Sequence, residues 1–144
     1  MNPLKIVLTI KVIFTALFWS LPLLLFPGYA ASLLGIPAPR PVLFLHLLGA
    51  AFLALLAGYL LGLLDLHHGR EVHHTVWVGI ISNGSAFLIL LIFAGEWSGW
   101  GTRASLYMAG SMLMTLLITL GLIVFGVIHN RTARRQAKVA ARLP

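Results

Sequence analysis

Four long apolar stretches, each bounded by loop-forming residues, constrain the fold of this 144-residue chain more than any other feature. They cover residues 6–26, 42–64, 75–94 and 105–128. A helix needs about 20 apolar residues to cross the hydrocarbon core of a bilayer, and its backbone polar groups are satisfied within the segment. Each stretch is therefore predicted to be a transmembrane helix.

The charge content excludes a soluble fold. Charged residues make up 9% of the chain and hydrophobic residues 60%, whereas a soluble domain carries about 25% charged residues because its surface faces water. The connections between the stretches are short and contain proline or glycine, which favours antiparallel neighbours. We predict an all-α fold, with one membrane domain over residues 1–144, a four-helix antiparallel bundle and a basic tail over residues 129–144.

The positions of lysine and arginine predict the orientation of the bundle. Four spans place both termini on one side of the membrane, and that side holds all the basic residues except Arg40 and Arg103. Because cytoplasmic loops are enriched in basic residues, we expect both termini in the cytoplasm and a multi-pass protein of the bacterial inner membrane. Lys11 lies inside the first span, and its long side chain is expected to snorkel to the cytoplasmic interface.

Residues 28–36 are apolar but too short to cross a membrane, and they predict a short helix along the outer surface. Aromatic residues support this placement, since amphipathic rings prefer the interface between lipid and water. Those expected at the outer interface are Tyr29, Trp97, Trp100 and Tyr107.

Polar residues inside the spans are candidates for a shared layer near the middle of the membrane. Asn83 lies in the third span beside Gly84, and an amide in hydrocarbon needs a hydrogen-bond partner. At about 1.5 Å per residue, hydroxyls of the first and fourth spans lie at a similar depth. The layer either joins helices by hydrogen bonds or lines a ligand pathway. Its residues are Thr15, Ser82, Asn83, Thr115 and Thr119.

Small residues recur every four positions along the second span, where they permit close approach of another helix backbone. That helix belongs either to the same bundle or to a partner. The residues of this small-residue stripe are Ala50, Ala54, Gly58 and Gly62.

The loop between the second and third spans contains four histidines that could bind a transition metal. They are His67, His68, His73 and His74. The two pairs could face each other across a tight turn, although a solvated boundary loop explains the same residues. His46 and His129 lie at opposite ends of their spans and cannot share one haem iron. No cofactor is predicted apart from this possible metal.

The chain lacks the residues that most often perform chemistry. It contains no cysteine and three carboxylates, Asp65, Glu71 and Glu96, none of which lies within an apolar stretch. A thiolate metal site, a disulfide framework and a paired-carboxylate hydrolase are therefore not expected. The sequence favours a protein that is not an enzyme.

The tail over residues 131–144 is basic and contains no acidic residue. Basic clusters beside a span attract anionic lipid at about 1 kcal/mol per residue. No aromatic or motif context accompanies the charge, so nucleic acid is not an expected partner. The residues predicted to contact lipid are Arg131, Arg134, Arg135 and Lys138.

The order of these features resembles a known family. The first span leads into FPGYAASLLGIPAP, and a second span HLLGAAFLALLAGYLLGLLD, a histidine turn and VGIISNGSAFLILL follow. This arrangement resembles the small bacterial DoxX-like four-helix membrane proteins over most of residues 18–91. The resemblance implies a four-helix bundle in the bacterial inner membrane. Some relatives are linked to redox or stress complexes, but this chain offers no catalytic motif that could be transferred.

Three functions remain open at this point. The first is a non-enzymatic accessory or helix-packing subunit of a membrane complex or homo-oligomer, in contact with membrane lipids. The second is a small transporter or binder of an apolar ligand, either a quinone or a lipid, that uses the mid-membrane polar layer. The third is a metal-binding protein that uses the histidine loop.

Overall fold

The computed structural model describes residues 3–38 and 40–128. Four of the helices in these ranges are long and apolar enough to cross a membrane, and no strand occurs there. The prediction of an all-α bundle with four membrane-spanning helices is therefore confirmed. The helices are α1 Pro3–Leu25, α2 Pro27–Leu34, α3 Leu43–His67, α4 His73–Ile92, α5 Ala94–Trp97 and α6 Thr102–Ile128.

The short helix expected between the first two spans is α2. Pro27 occupies its first turn, where the missing backbone N–H costs nothing. The helix ends at Gly35, whose φ of +71° provides the left-handed cap that terminates many helices. The helix α5, one turn in the loop before the fourth span, is not evident from the sequence pattern.

Contacts near the helix ends show that neighbouring spans run in opposite directions. Lys5 Nζ donates a hydrogen bond of 2.8 Å to His67 Nδ1, which joins the start of α1 to the end of α3. Gly126 near the end of α6 packs against Val76 near the start of α4. We call the part of the bundle that holds these four residues the terminal half. The loop half is the opposite part, which holds α2 and α5.

The apolar core lies in the terminal half. Three of its side chains, Leu8, Val76 and Leu122, have no solvent-exposed surface. The outward faces of the spans expose many leucine and isoleucine side chains, which is the pattern expected where the surroundings are lipid tails. The core residues are Leu4, Leu8, Val72, Val76, Ile118 and Leu122.

Two spans widen from α-helix to π-helix. In α1 the π-helical segment covers Thr15–Ser20, and in α6 it covers Leu122–Ile128. Such segments are rare and often accompany functional sites because they shift the side chains that follow. The segment in α1 lies directly beside the two features described next.

Candidate functional site

Polar side chains occupy the interior of the bundle beyond the apolar core. They come from three spans, α1, α4 and α6, and each is less than one-tenth exposed. A polar interior in a membrane bundle requires that each group find a partner, because lipid offers none. The buried polar residues are Lys11, Thr15, Ser20, Asn83, Ser111 and Thr115.

Lys11 is buried inside the bundle. The residue is 3% exposed, and its Nζ lies 4.2 Å from the centre of the Tyr59 ring. The prediction that this side chain snorkels to the interface is wrong for the folded chain, because Tyr59 of α3 presents its ring face to the ammonium. Contacts of this type stabilise by about 0.5–2 kcal/mol. None of the carboxylates in residues 3–38 and 40–128 forms an ion pair with Lys11.

Tyr59 links Lys11 to two members of the predicted polar layer. Its hydroxyl shares a 2.7 Å hydrogen bond with Ser82 Oγ across the interface between α3 and α4. Asn83 Nδ2 donates to the backbone oxygen of Gly79 at 2.6 Å, and it lies 3.5 Å from Ser82 Oγ. The ring of Tyr59 is therefore in contact with a cation on one side and is tied to a neutral hydrogen-bond cluster on the other.

The threonines of the predicted layer lie in the interior but bond within their own helix. Thr115 Oγ1 donates to the Ser111 and Met112 carbonyls at 2.9 Å, and Thr119 Oγ1 donates to the Thr115 carbonyl at 2.7 Å. Thr15 is buried on α1, one turn beyond Lys11. Of the hydrogen bonds described for the five predicted layer residues, the one to Tyr59 connects two helices.

An open apolar groove lies in the loop half. Its volume is about 670 Å³, and it lies between the second part of α1, α2, the start of α3 and the start of α6. Its lining is almost entirely carbon, with leucine, phenylalanine, alanine and proline predominating, and no charged side chain of the described residues contributes. Tyr107 closes one side, where its hydroxyl donates to the Phe18 carbonyl of the π-helical segment at 2.6 Å. The Trp19 ring packs against Phe52 and Tyr107.

The groove and the polar interior are separate features. None of Thr15, Asn83, Thr115 or Thr119 lines the groove, whose lining along α1 begins at Leu17. An apolar ligand held there would therefore not contact the predicted polar layer. The structure instead places the candidate ligand surface nearer the end of the bundle.

The small-residue stripe of α3 points mostly away from the bundle. Ala50, Ala54 and Gly58 are exposed, and a Cβ added at Gly58 would meet no atom within 4 Å. Gly62 is buried and packs against the Thr75 side chain of α4. Within the chain, Gly62 is therefore the residue of the stripe that packs closely against another helix.

The four loop histidines do not converge. His67 accepts from Lys5, and His68 Nδ1 donates to the Leu64 carbonyl of its own helix at 2.8 Å. His73 Nε2 accepts from Trp77 Nε1 at 3.4 Å, one turn along α4. No cluster of three or more potential ligands able to hold a metal occurs in residues 3–38 and 40–128. The expectation that the two histidine pairs face each other is therefore corrected.

The predicted lipid contacts of the tail lie outside the described residues. This concerns Arg131, Arg134, Arg135 and Lys138.

Sequence reasoning did not identify Tyr59 as part of a site, and it assigned Lys11 to the interface. The sequence did offer one signal: Lys11 is the ninth residue of α1, and Tyr59 lies at a comparable depth in the next span. At about 1.5 Å per residue, both side chains lie roughly 12 Å from the terminal end of their helices. The groove had no sequence signal, because its lining residues are those of any lipid-facing helix.

The chain was also compared with known proteins. No protein-family model matches it, and no match was found among curated proteins or among solved structures.

Proposed function

We propose that this membrane protein binds one lipid molecule through its apolar chain, in the groove of the loop half. The observation that carries the proposal is the groove itself, with a volume of about 670 Å³ and a carbon-lined wall. Sites for small molecules are commonly about 300–1,000 Å³ and mostly apolar. The groove is therefore of a suitable size for part of one lipid chain.

The chemistry of the wall favours a hydrocarbon over a polar ligand. A polar group transferred into such a wall would lose its hydrogen bonds to water without replacement, at a cost of several kcal/mol. The Tyr107 hydroxyl already donates to Phe18. An acyl chain or an isoprenoid chain makes no such demand, and the surrounding bilayer supplies both.

Photolabelling in nanodiscs tests this proposal. The protein is reconstituted with a phosphatidylglycerol that carries a diazirine on one acyl chain, irradiated and mapped by mass spectrometry. We expect labels to concentrate on peptides that contain Leu17, Phe18 and Met108, which line the groove. Organic extraction of the purified protein separates the lipid from the second candidate class, isoprenoid quinones, which would be recovered instead.

A matched pair of variants controls the labelling. Ala30→Phe fills the groove from α2, whereas Ala57→Phe adds the same ring to an exposed position of α3 outside the groove. The first substitution should reduce labelling of the groove severalfold and the second should leave it unchanged. Uniform labelling around the bundle that Ala30→Phe does not alter would refute the proposal.

The exposed face of α3 supports a second candidate, helix docking in an oligomer or membrane complex. Ala50, Ala54 and Gly58 form a smooth face that no helix of the chain covers at Gly58. Helices in membranes associate through small residues because these permit close backbone contact. A second copy of this chain is the first partner to examine, since the accessory-subunit role also requires such a contact.

Cysteine cross-linking tests the docking face cleanly, because the chain has no cysteine of its own. Oxidation of Ala54→Cys in membranes should give a disulfide-linked dimer on a denaturing gel. Leu117→Cys, 54% exposed on α6, is the control and should remain monomeric. Equal cross-linking of both variants would indicate random collision and contradict docking through this face.

The finer localisation also belongs to the proposal. We place the protein in the bacterial cytoplasmic membrane with both termini inside, which the excess of basic residues on the terminal side supports. We also propose that the chain is a DoxX-like protein, on the order of the segments FPGYAASLLGIPAP, HLLGAAFLALLAGYLLGLLD and VGIISNGSAFLILL. A carboxy-terminal alkaline phosphatase fusion should be inactive, and an active fusion would reverse the orientation.

A further inference from the structure

We infer that the lipid held in the groove is anionic and that Arg40 and Arg103 bind its phosphate. This inference rests on the proposed function and adds the class of headgroup to it. The observations behind it are the positions of the two arginines, the scarcity of other charges in the loop half and the depth of the groove mouth.

Both arginines lie beside residues of the groove wall. Ala38 lines the groove, and Arg40 follows it by two residues. Tyr107 lines the opposite side, and Arg103 lies four residues earlier on α6, on the same face of the helix. Both arginines are exposed. A long guanidinium side chain at each edge can therefore reach the headgroup of a lipid whose chain occupies the wall between them.

The two arginines are not explained by the rule that governs the rest of the basic residues. Of the other basic residues in 3–38 and 40–128, Lys5 and Arg70 lie in the terminal half, where the rule predicts them, and Lys11 is buried in the bundle interior. Arg40 and Arg103 instead lie two and four residues along the chain from the groove-lining residues Ala38 and Tyr107. Proximity to the groove therefore accounts for the positions of the two arginines better than the positive-inside rule does.

Few other charges face this mouth. The carboxylate of the loop half is Glu96, exposed on α5, and neither arginine forms an ion pair with a carboxylate of residues 3–38 and 40–128. His46 is directed elsewhere, since its Nδ1 donates to the Leu24 carbonyl at 2.8 Å. Both guanidinium groups are therefore available to phosphate oxygens, which match their planar donor geometry.

Aromatic residues near the groove mouth indicate that it lies at the depth of the lipid headgroups. Tyr29 of α2 is 71% exposed and lines the groove, and Trp100 follows α5 at the same end of the bundle. Tyrosine and tryptophan concentrate at the membrane interface. A lipid with its chain in the groove would therefore carry its phosphate at the level of the two arginines.

Competition between two headgroups tests the inference. The protein in nanodiscs of equimolar phosphatidylglycerol and phosphatidylcholine with identical chains is released into mild detergent, and the retained lipid is identified by native mass spectrometry. We expect phosphatidylglycerol to be retained on the order of tenfold over phosphatidylcholine. The double variant Arg40→Gln/Arg103→Gln should bring the ratio close to one while diazirine labelling of the groove persists.

Arg70→Gln is the matched control. Arg70 is exposed in the terminal half and pairs with Asp65 at 3.1 Å, and the tail is present in every variant. Its loss should leave the ratio unchanged. A preference that survives the double variant, or displacement of the lipid by chain-free glycerol phosphate, would overturn the headgroup assignment. If the groove of the wild-type protein is not labelled at all, the proposed function, on which the headgroup assignment rests, is overturned instead.

Discussion

The two halves of the bundle are packed differently. In the terminal half, bulky side chains enter the space left by glycines. A Cβ built at Gly79 would lie 2.6 Å from Leu122 Cδ1, and one at Gly126 would lie 2.6 Å from Val76 Cγ1. In the loop half, a groove of about 670 Å³ separates parts of α1, α2, α3 and α6. Lipid tails are as apolar as leucine, so a membrane bundle gains stability where helices fit closely. The loose half is therefore the half free to hold a ligand.

The largest expected effect concerns a tight backbone contact in the loop half. Gly49 of α3 lies against the backbone of α1, where an added Cβ would be 2.6 Å from the Leu24 nitrogen. Because backbone cannot rotate away, Gly49→Leu should separate α1 from α3, at a cost above the usual range of about 1–3 kcal/mol for overpacking. Loss of a monodisperse peak in detergent size-exclusion chromatography measures the effect.

Gly110→Leu, on the exposed face of α6, is its control, because a Cβ there meets no atom within 4 Å. Equal behaviour of the two variants would contradict the close contact between α1 and α3.

The next effect tests whether the terminal half depends on fit. Leu122→Ala should lower the free energy of unfolding by about 2 kcal/mol, the low end of the range for buried leucines. We expect a smaller loss of stability than in soluble proteins, because moving a side chain from lipid into the core gains little free energy. The loss therefore reflects mainly the cost of the cavity.

Reversible unfolding in mixed micelles measures this difference. Leu120→Ala, at a position 48% exposed on the same helix, should change stability by far less. A loss as large as that of Leu122→Ala would mean that fit does not distinguish the core from the lipid face.

Replacement of the buried lysine should change stability in the opposite direction. Lys11→Met removes a cation that has no carboxylate partner among the described residues and preserves most of the side-chain volume. Desolvation of a buried ion costs several kcal/mol, more than the Tyr59 contact returns, so stability should rise by about 1 kcal/mol or more.

A thermal shift in detergent measures it, with Ile10→Met, at a position 45% exposed on the same helix, as the control that should leave stability unchanged. If Lys11→Met destabilises the protein, the ammonium contributes to the interior more than the ring contact accounts for.

The smallest expected effect is at the hydrogen bond between α3 and α4. Tyr59→Phe retains the ring under Lys11 and removes the bond to Ser82, which still donates to the Gly79 carbonyl at 3.3 Å. Hydrogen bonds between membrane helices contribute about 0.6 kcal/mol on average, and a loss of that size is expected. The same unfolding assay detects it, with Tyr29→Phe as the exposed control. A loss of several kcal/mol would show that the polar interior, and not the apolar core, dominates stability.

The positions of the spans could be predicted from the sequence because their length is fixed by the thickness of the bilayer. The direction in which each helix face points could not be predicted from the sequence. Both faces of α3 are apolar, so the helical pattern of apolar and polar residues does not indicate that Leu56 and Tyr59 turn inward while Ala54 and Gly58 turn outward. The depth of Asn83 could be counted, but its partner Gly79 lies on its own helix. The groove depends on what α2 and α6 leave unfilled, which is a property of the assembled bundle.

The burial of Lys11 also bears on how the chain enters the membrane. A lysine near the centre of an isolated span opposes insertion by about 2.5–3.5 kcal/mol. Before α3 arrives, the Tyr59 ring is absent, and the ammonium of a nascent α1 can reach water because it lies about 12 Å from the helix end. We therefore expect α1 to insert with its ammonium at the interface, and the lysine to withdraw into the bundle only when α3 packs against α1 and Tyr59 covers it.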